Sequence, residues 1–260
     1  RVLERQGKIG LAIVQWSAAL ARLAAVNPSA LSHKITTLNQ SARALEAVNQ
    51  DDTAETMLRE SLELDRDQTE VIQHLVALRQ RQCKWPVVLP GERFDAGVLV
   101  RGMSPLSAGA FTDDPLWQLA LAARYNQTDV GSPAGAMTSW PKATRDGGAP
   151  LRIGYLSSDL REHAVGYLMT EVPGLHDRSR VEVFSYYCGV DSTDAMHAHF
   201  QSASDHFRPI SHLDDAAAAT LMADDGIQIL VDLNGYTRDA RLKLVALRPA
   251  PVIVNWLGYP

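Results

Sequence analysis

Apolar residues recur at intervals of three and four in four early segments, Ile13 to Val26, Ile35 to Val48, Asp52 to Leu64 and Thr69 to Arg81. That spacing gives each segment one apolar stripe and predicts a helix. Polar breaks at Asn27-Pro28-Ser29 and Asn49-Gln50-Asp51 separate them. From Leu151 the pattern changes to short, β-branched apolar runs. These predict strands at Leu151 to Leu156, Val181 to Tyr187, His206 to Ile210, Ile227 to Leu233 and Val252 to Leu257. Helical stretches fall between them, near Tyr167 to Val172, Ala195 to Gln201, Asp214 to Asp224 and Arg238 to Leu247. Alternation of strand and helix at this spacing predicts a parallel sheet with crossover helices.

Antiparallel pairs of such helices suggest a tetratricopeptide-like array, in which each unit buries its face only against its neighbours. The best register runs through Ala42, Ala54, Leu58, Ser61, Leu62 and Leu64. Arg66 occupies the proline position of that repeat, and the unit ending at Asn27-Pro28 sits about four residues out of phase. An ordinary helical bundle therefore stays open as the alternative.

Glycine and proline mark where the helical region ends. Residues 11–85 hold no Gly and one Pro, whereas residues 86–260 hold 12 of the 13 Pro and 15 of the 17 Gly. The expected organisation is a helical-repeat region at 1–84, an irregular connector at 85–149 and a Rossmann-like lobe at 150–260. The connector carries one clear helix, Pro115 to Tyr125. Trp85 and Trp117 read as packing anchors, since a large aromatic ring is more often core than ligand.

Charge removes one class of partner. A formal net charge of -5 and a sequence pI near 5.9 argue against a phosphate-binding surface, so nucleic acid is excluded. No apolar run approaches the roughly 20 residues of a spanning helix, so no membrane is expected. Cys83 and Cys188, in no CxxC pair, offer neither a disulfide framework nor a thiolate metal site. A cytoplasmic setting is the expectation.

In an open α/β sheet, ligands bind outside the carboxyl ends of the strands. The loop after the first strand reads Ser157-Ser158-Asp159-Leu160-Arg161-Glu162-His163, followed by Ala-Val-Gly166-Tyr167. Asn234-Gly235-Tyr236-Thr237 follows the fourth strand and Gly258-Tyr259-Pro260 the fifth. His163 is the titratable group there suited to proton transfer near neutral pH. Its competing reading is an exposed loop histidine or a helix cap. A Ser158, Asp159, His163 hydrolase triad is rejected, because the nucleophile elbow needs Gly two residues either side of the serine and Leu156 and Leu160 stand there. His197 and His199 could suggest a metal, but residues two apart on a helix point to different sides, and the segment reads as a solvated histidine-rich helix. Asp224-Asp225-Gly226 reads as a helix end. No GxGxxG or GxxxxGK[ST] loop occurs.

Seven blocks in order resemble the start of the catalytic region of O-linked N-acetylglucosamine transferases. They are Leu151 to Asp159 with His163 and Leu168-Met169, Val181 to Phe184, Asp225-Gly226-Ile227, Ile229 to Val231, Asn234 to Thr237, Ala246 to Pro251 and Trp256 to Pro260. Cys83-Lys84-Trp85 and Ser104 to Ser107 are similar to that family's connector, and its members carry tetratricopeptide repeats ahead of it.

The resemblance implies one half of a two-Rossmann-domain glycosyltransferase. Such an enzyme moves N-acetylglucosamine from UDP-N-acetylglucosamine to protein Ser/Thr hydroxyls, inverting the anomeric centre without metal or cofactor. His163 falls on the family histidine proposed as general base or active-site orienter. Asn234, Gly235, Tyr236, Gly258, Tyr259 and Pro260 would shape the sugar pocket, and an acceptor protein or peptide would lie along the helical repeats. Ala223 stands where animal members commonly have a histidine, so that residue's role is not carried over. The second lobe, which supplies the family's lysine and most UDP contacts, is not among these 260 residues. The rival reading is a non-catalytic peptide-binding scaffold with a decayed lobe.

Overall fold

The computed structural model describes residues 1–23, 28–140, 149–237 and 239–258. The chain divides into two compact units, Arg1–Ala122 and Ala123–Pro260.

The first unit is helical: α1 Val2–Arg5, α2 Ile9–Arg22, α3 Pro28–Glu46, α4 Asp51–Leu64, α5 Thr69–Arg81, α6 Ala96–Gly102, α7 Pro105–Phe111 and α8 Pro115–Tyr125, whose end passes into the second. The α5 bounds are those its apolar spacing predicts. α2, α3 and α4 begin at Ile9, Pro28 and Asp51, earlier than their expected starts. From α1 to α5 each helix packs on the next. Leu38, Leu58, Leu62, Leu75 and Leu78 are fully buried between them, each contributing roughly 1.5–3 kcal/mol.

The stretch expected to be irregular carries two further helices. Asp95 caps α6 by accepting from the Val98 amide at 2.8 Å, and Ser104 caps α7 ahead of Pro105. Val87, Phe94, Leu99, Met103 and Ala108 complete the core formed by α3, α4 and α5. Trp117 packs there against Phe111, ring centres 5.7 Å apart. Trp85 does not: it is 73% exposed, and the expectation of a packing anchor fails at that residue.

A buried ion pair crosses this unit. Arg79 bonds Glu55 and also donates to the carbonyls of Val87 (3.1 Å) and Pro86 (2.7 Å), while Lys84 reaches the other Glu55 oxygen at 2.8 Å. Burial pushes the Glu55 carboxyl up, yet the hydrogen bonds from Lys84 and Arg79 outweigh it and hold the group below its ordinary value.

The second unit is a five-stranded parallel sheet of order β3-β2-β1-β4-β5, with β1 Leu151–Ser157, β2 Val181–Tyr187, β3 His206–Pro209, β4 Ile229–Asp232 and β5 Val252–Asn255. α9 Ala164–Met169 and α10 Ala195–Ala203 cover one face, packing with Tyr155, Val183, Tyr187 and Leu233. α11 Asp215–Asp224 and α12 Leu242–Ala246 cover the other, packing with Leu156, Tyr186 and Leu230. Neighbouring residues of β1 and β2 thus enter opposite cores, the period of two that a doubly covered strand requires. The chain steps from β1 to β2 to β3 on one side, then returns to place β4 on the other side of β1. The strand order therefore reverses between β1 and β4.

Candidate functional site

Where strand order reverses, the loops leaving two adjacent strands diverge to opposite faces and leave a crevice at their carboxyl ends. Here those loops are 158–163 after β1 and 233–237 after β4. His163 and Asn234, both picked from the sequence, stand on its two sides.

Asn234 ties the two loops together. Its Oδ1 accepts the Ser158 amide at 2.9 Å, and its Nδ2 donates to Ser158 Oγ (2.8 Å), Asp159 Oδ2 (3.1 Å) and Thr237 Oγ1 (3.3 Å). It is 1% exposed, so its side chain shapes the crevice by holding both walls. Ser158 Oγ donates to Asp159 Oδ2 at 2.9 Å and not to His163.

Asp232 organises the turn from beneath. Its Oδ1 accepts the Asn234 amide at 3.1 Å and its Oδ2 the Gly235 amide at 3.0 Å, while Asn255 Nδ2 donates from the end of β5 at 3.2 Å. Burial pushes the Asp232 carboxyl up, against those three hydrogen bonds, which pull it down. Gly235 takes a left-handed φ of 57°, which favours glycine. Gly258 lies so close to that turn that a Cβ would stand 2.3 Å from the carbonyl carbon of Asn234, so its backbone abuts another loop.

His163 precedes α9 as its N-cap. Its Nδ1 accepts the Val165 amide at 3.3 Å and lies 3.8 Å from Asp159 Oδ1, whose nearer contact is Arg161 Nη2 at 3.3 Å. An amide N–H can only donate, so Nδ1 carries no proton in this geometry. The neutral ring then bears its proton on Nε2 and presents a donor there. The side chain is 42% exposed. Of the readings the sequence leaves open for His163, the structure shows the helix cap.

Tyr236 lies against Tyr125, edge to face at 5.7 Å, and its hydroxyl accepts from Asn126 Nδ2 at 2.7 Å. Tyr259 and Pro260 lie outside the described residues. Burial pushes the Cys188 thiol, just past β2, up to about 12, which keeps it protonated near neutral pH.

The reading of α10 as a solvated histidine face fails at His197. That ring is 6% exposed, and His199 bonds the Thr170 carbonyl at 2.9 Å. Among the described residues no group of three or more His, Cys, Asp or Glu is placed to hold a metal. None of their helices is long and apolar enough to cross a membrane.

Residues 134–260 match the sequence profile of glycosyl transferase family 41. A UDP-N-acetylglucosamine--peptide N-acetylglucosaminyltransferase of Caenorhabditis elegans is 48% identical over 114 residues, covering 44% of this chain and 10% of that protein. A probable enzyme of the same name, SEC, from Arabidopsis thaliana is 35% identical over 165 residues, covering 61% of this chain and 17% of its own length. A solved structure, a mutant O-GlcNAc transferase of Thermobaculum terrenum, superimposes with a TM-score of 0.71 at 27% identity. It covers 99% of this chain, and this chain spans 48% of it. The family 41 segment thus contains the whole sheet, the β1 and β4 loops and His163.

Proposed function

We propose that this chain is part of a glycosyltransferase that moves N-acetylglucosamine from UDP-N-acetylglucosamine to Ser or Thr hydroxyls of proteins. The observation that carries the reading is the position of His163. A family 41 sequence places a proton-bearing ring atom on a loop at the reversal of strand order, where an α/β sheet receives its ligand.

In-line displacement at the anomeric carbon requires the acceptor oxygen on the face opposite the departing UDP. It also requires the hydroxyl to be held within reach and the leaving diphosphate to be stabilised. His163 does the first part of this work. With Nδ1 engaged by the Val165 amide, Nε2–H donates to an oxygen of the acceptor or the sugar and fixes its direction. This makes His163 an orienter. For it to act instead as a base through Nε2, the proton must move to Nδ1 and turn toward Asp159 Oδ1, 3.8 Å away. Diphosphate stabilisation is assigned to the second lobe that the resemblance implies, and the reading invokes no metal or cofactor.

The first unit is proposed to hold the acceptor peptide as a tetratricopeptide-like array. In support, a polar hollow among α3, α4 and α5 is lined by Thr36, Asn39, Gln40, Arg43 and His74. The Asn39 Oδ1 atom is buried there without a hydrogen-bond partner. Two free cysteines suit the proposed cytoplasmic compartment. The test is incubation of the full-length protein with radiolabelled UDP-N-acetylglucosamine and a Ser/Thr peptide library. Label transferred to peptide supports the proposal, and binding of peptide with no transfer replaces it by the scaffold.

A further inference from the structure

We infer that His197 and Asp194, at the start of α10, are positioning residues that clamp the β1 loop and so set the place of His163. For its catalytic consequence this rests on the function proposed above, but the clamp itself stands on geometry alone. His197 Nδ1 lies 2.9 Å from the Leu160 carbonyl. A carbonyl can only accept, so Nδ1 carries the proton, the tautomer opposite to that of His163. The ring is held between Tyr187, at 4.6 Å between centres, and Phe207, at 5.2 Å edge to face, and is 6% exposed.

Asp194 supplies the second tie. One carboxylate oxygen caps α10 by accepting the His197 amide at 2.7 Å. The other accepts Ser192 Oγ at 2.6 Å and the Glu162 amide at 3.1 Å. Leu160 and Glu162, the residues so held, lie just before His163. The Leu160 side chain is itself buried in the core beneath α9 and α10. A buried donor and a cap carboxylate on one helix thus fix a loop about 35 residues back in the chain. The four hydrogen bonds of the two side chains (to Leu160, Glu162, Ser192 and the α10 amide) all fall on the loop and the approach to the helix, while Tyr187 and Phe207 pack the His197 ring. Displacements near 1 Å at a reacting group can cost roughly 100-fold in rate, which makes such ties matter to catalysis.

Three variants separate clamp from packing. His197→Phe keeps a ring but has no donor. His197→Asn places an Nδ2–H where the imidazole Nδ1–H stands. Asp194→Ser still caps α10 but has no second oxygen for Glu162. Amide exchange on the 260-residue chain should speed up roughly tenfold or more at Glu162 and Val165 in His197→Phe and Asp194→Ser. β1 amides should be unchanged, and His197→Asn should restore protection. In the full-length protein kcat should fall in the same order while KM for the donor holds. Unchanged loop exchange, failure of Asn to restore it, or a loosened loop with unchanged kcat would overturn the inference. A parent protein that transfers no sugar refutes the proposed function instead, and the exchange data then decide the clamp by themselves.

Discussion

Asn234 Oδ1 accepts the Ser158 amide at 2.9 Å, joining loops 76 residues apart across the reversal of strand order. Asn234→Ala leaves that buried amide and the Ser158 hydroxyl short of a partner. It should cost about 1–3 kcal/mol in urea unfolding. Asn234→Asp keeps the acceptor but sets a carboxylate against Asp159 Oδ2, now 3.1 Å from the amide nitrogen. It should be the worse of the two near neutral pH and recover ground in acid. Equal stability of Asp and Asn would show that the tie is not formed.

The Glu55 and Arg79 pair should respond unequally to its two deletions. Glu55→Leu strands a guanidinium whose side chain is 6% exposed, at roughly 3–5 kcal/mol. Arg79→Leu leaves Glu55 with Lys84 and should cost less. Because the folded Glu55 value is depressed, its contribution is present above the ordinary 4.5 and is lost as pH falls through the folded value. Denaturant titrations from pH 7 downward should therefore converge for wild type and Glu55→Leu. Parallel curves would contradict the pairing.

Asp232 runs the other way. Its folded value is raised above the ordinary 3.8, so its contribution is greatest below 3.8 and declines as pH rises through the folded value. The stability of wild type relative to Asp232→Asn should fall over that window and then level off. A relative stability that rises with pH would show that the three hydrogen bonds outweigh burial.

How much of this was legible before the fold was known differs by element. α5 and β2 were legible to the residue. α6 and α7 were missed because Gly and Pro were weighed as breakers. Yet Ser104-Pro105 is a helix start, with a capping hydroxyl and proline at the first position. The cap at His163 was among the readings of the sequence because it depends on one loop after one strand. His197 could not, because its partner Leu160 is 37 residues away and only the fold joins them. Asp232 lay inside the expected strand Ile227 to Leu233. Nothing local marks it as the acceptor for a turn that has not yet formed.

The 260-residue chain alone should bind UDP more weakly than micromolar. The family resemblance places the diphosphate contacts on a second lobe, and the β1 loop here is no glycine-rich phosphate loop. Calorimetric titration of UDP checks this, and micromolar or tighter binding would move the nucleotide onto this lobe.

The central claim is that His163 orients a substrate oxygen through Nε2–H in a sugar transfer, and turnover of the full-length protein at saturating donor and acceptor tests it most directly. His163→Ala should lower kcat by roughly 10²- to 10⁴-fold with little change in donor KM, and loss of the α9 cap should cost about 0.5–2 kcal/mol in stability. His163→Asn, which still offers a neutral donor, should recover part of that loss. Asn as poor as Ala would assign His163 to proton transfer, and near-normal turnover of His163→Ala would leave it only the cap of α9 and contradict the account.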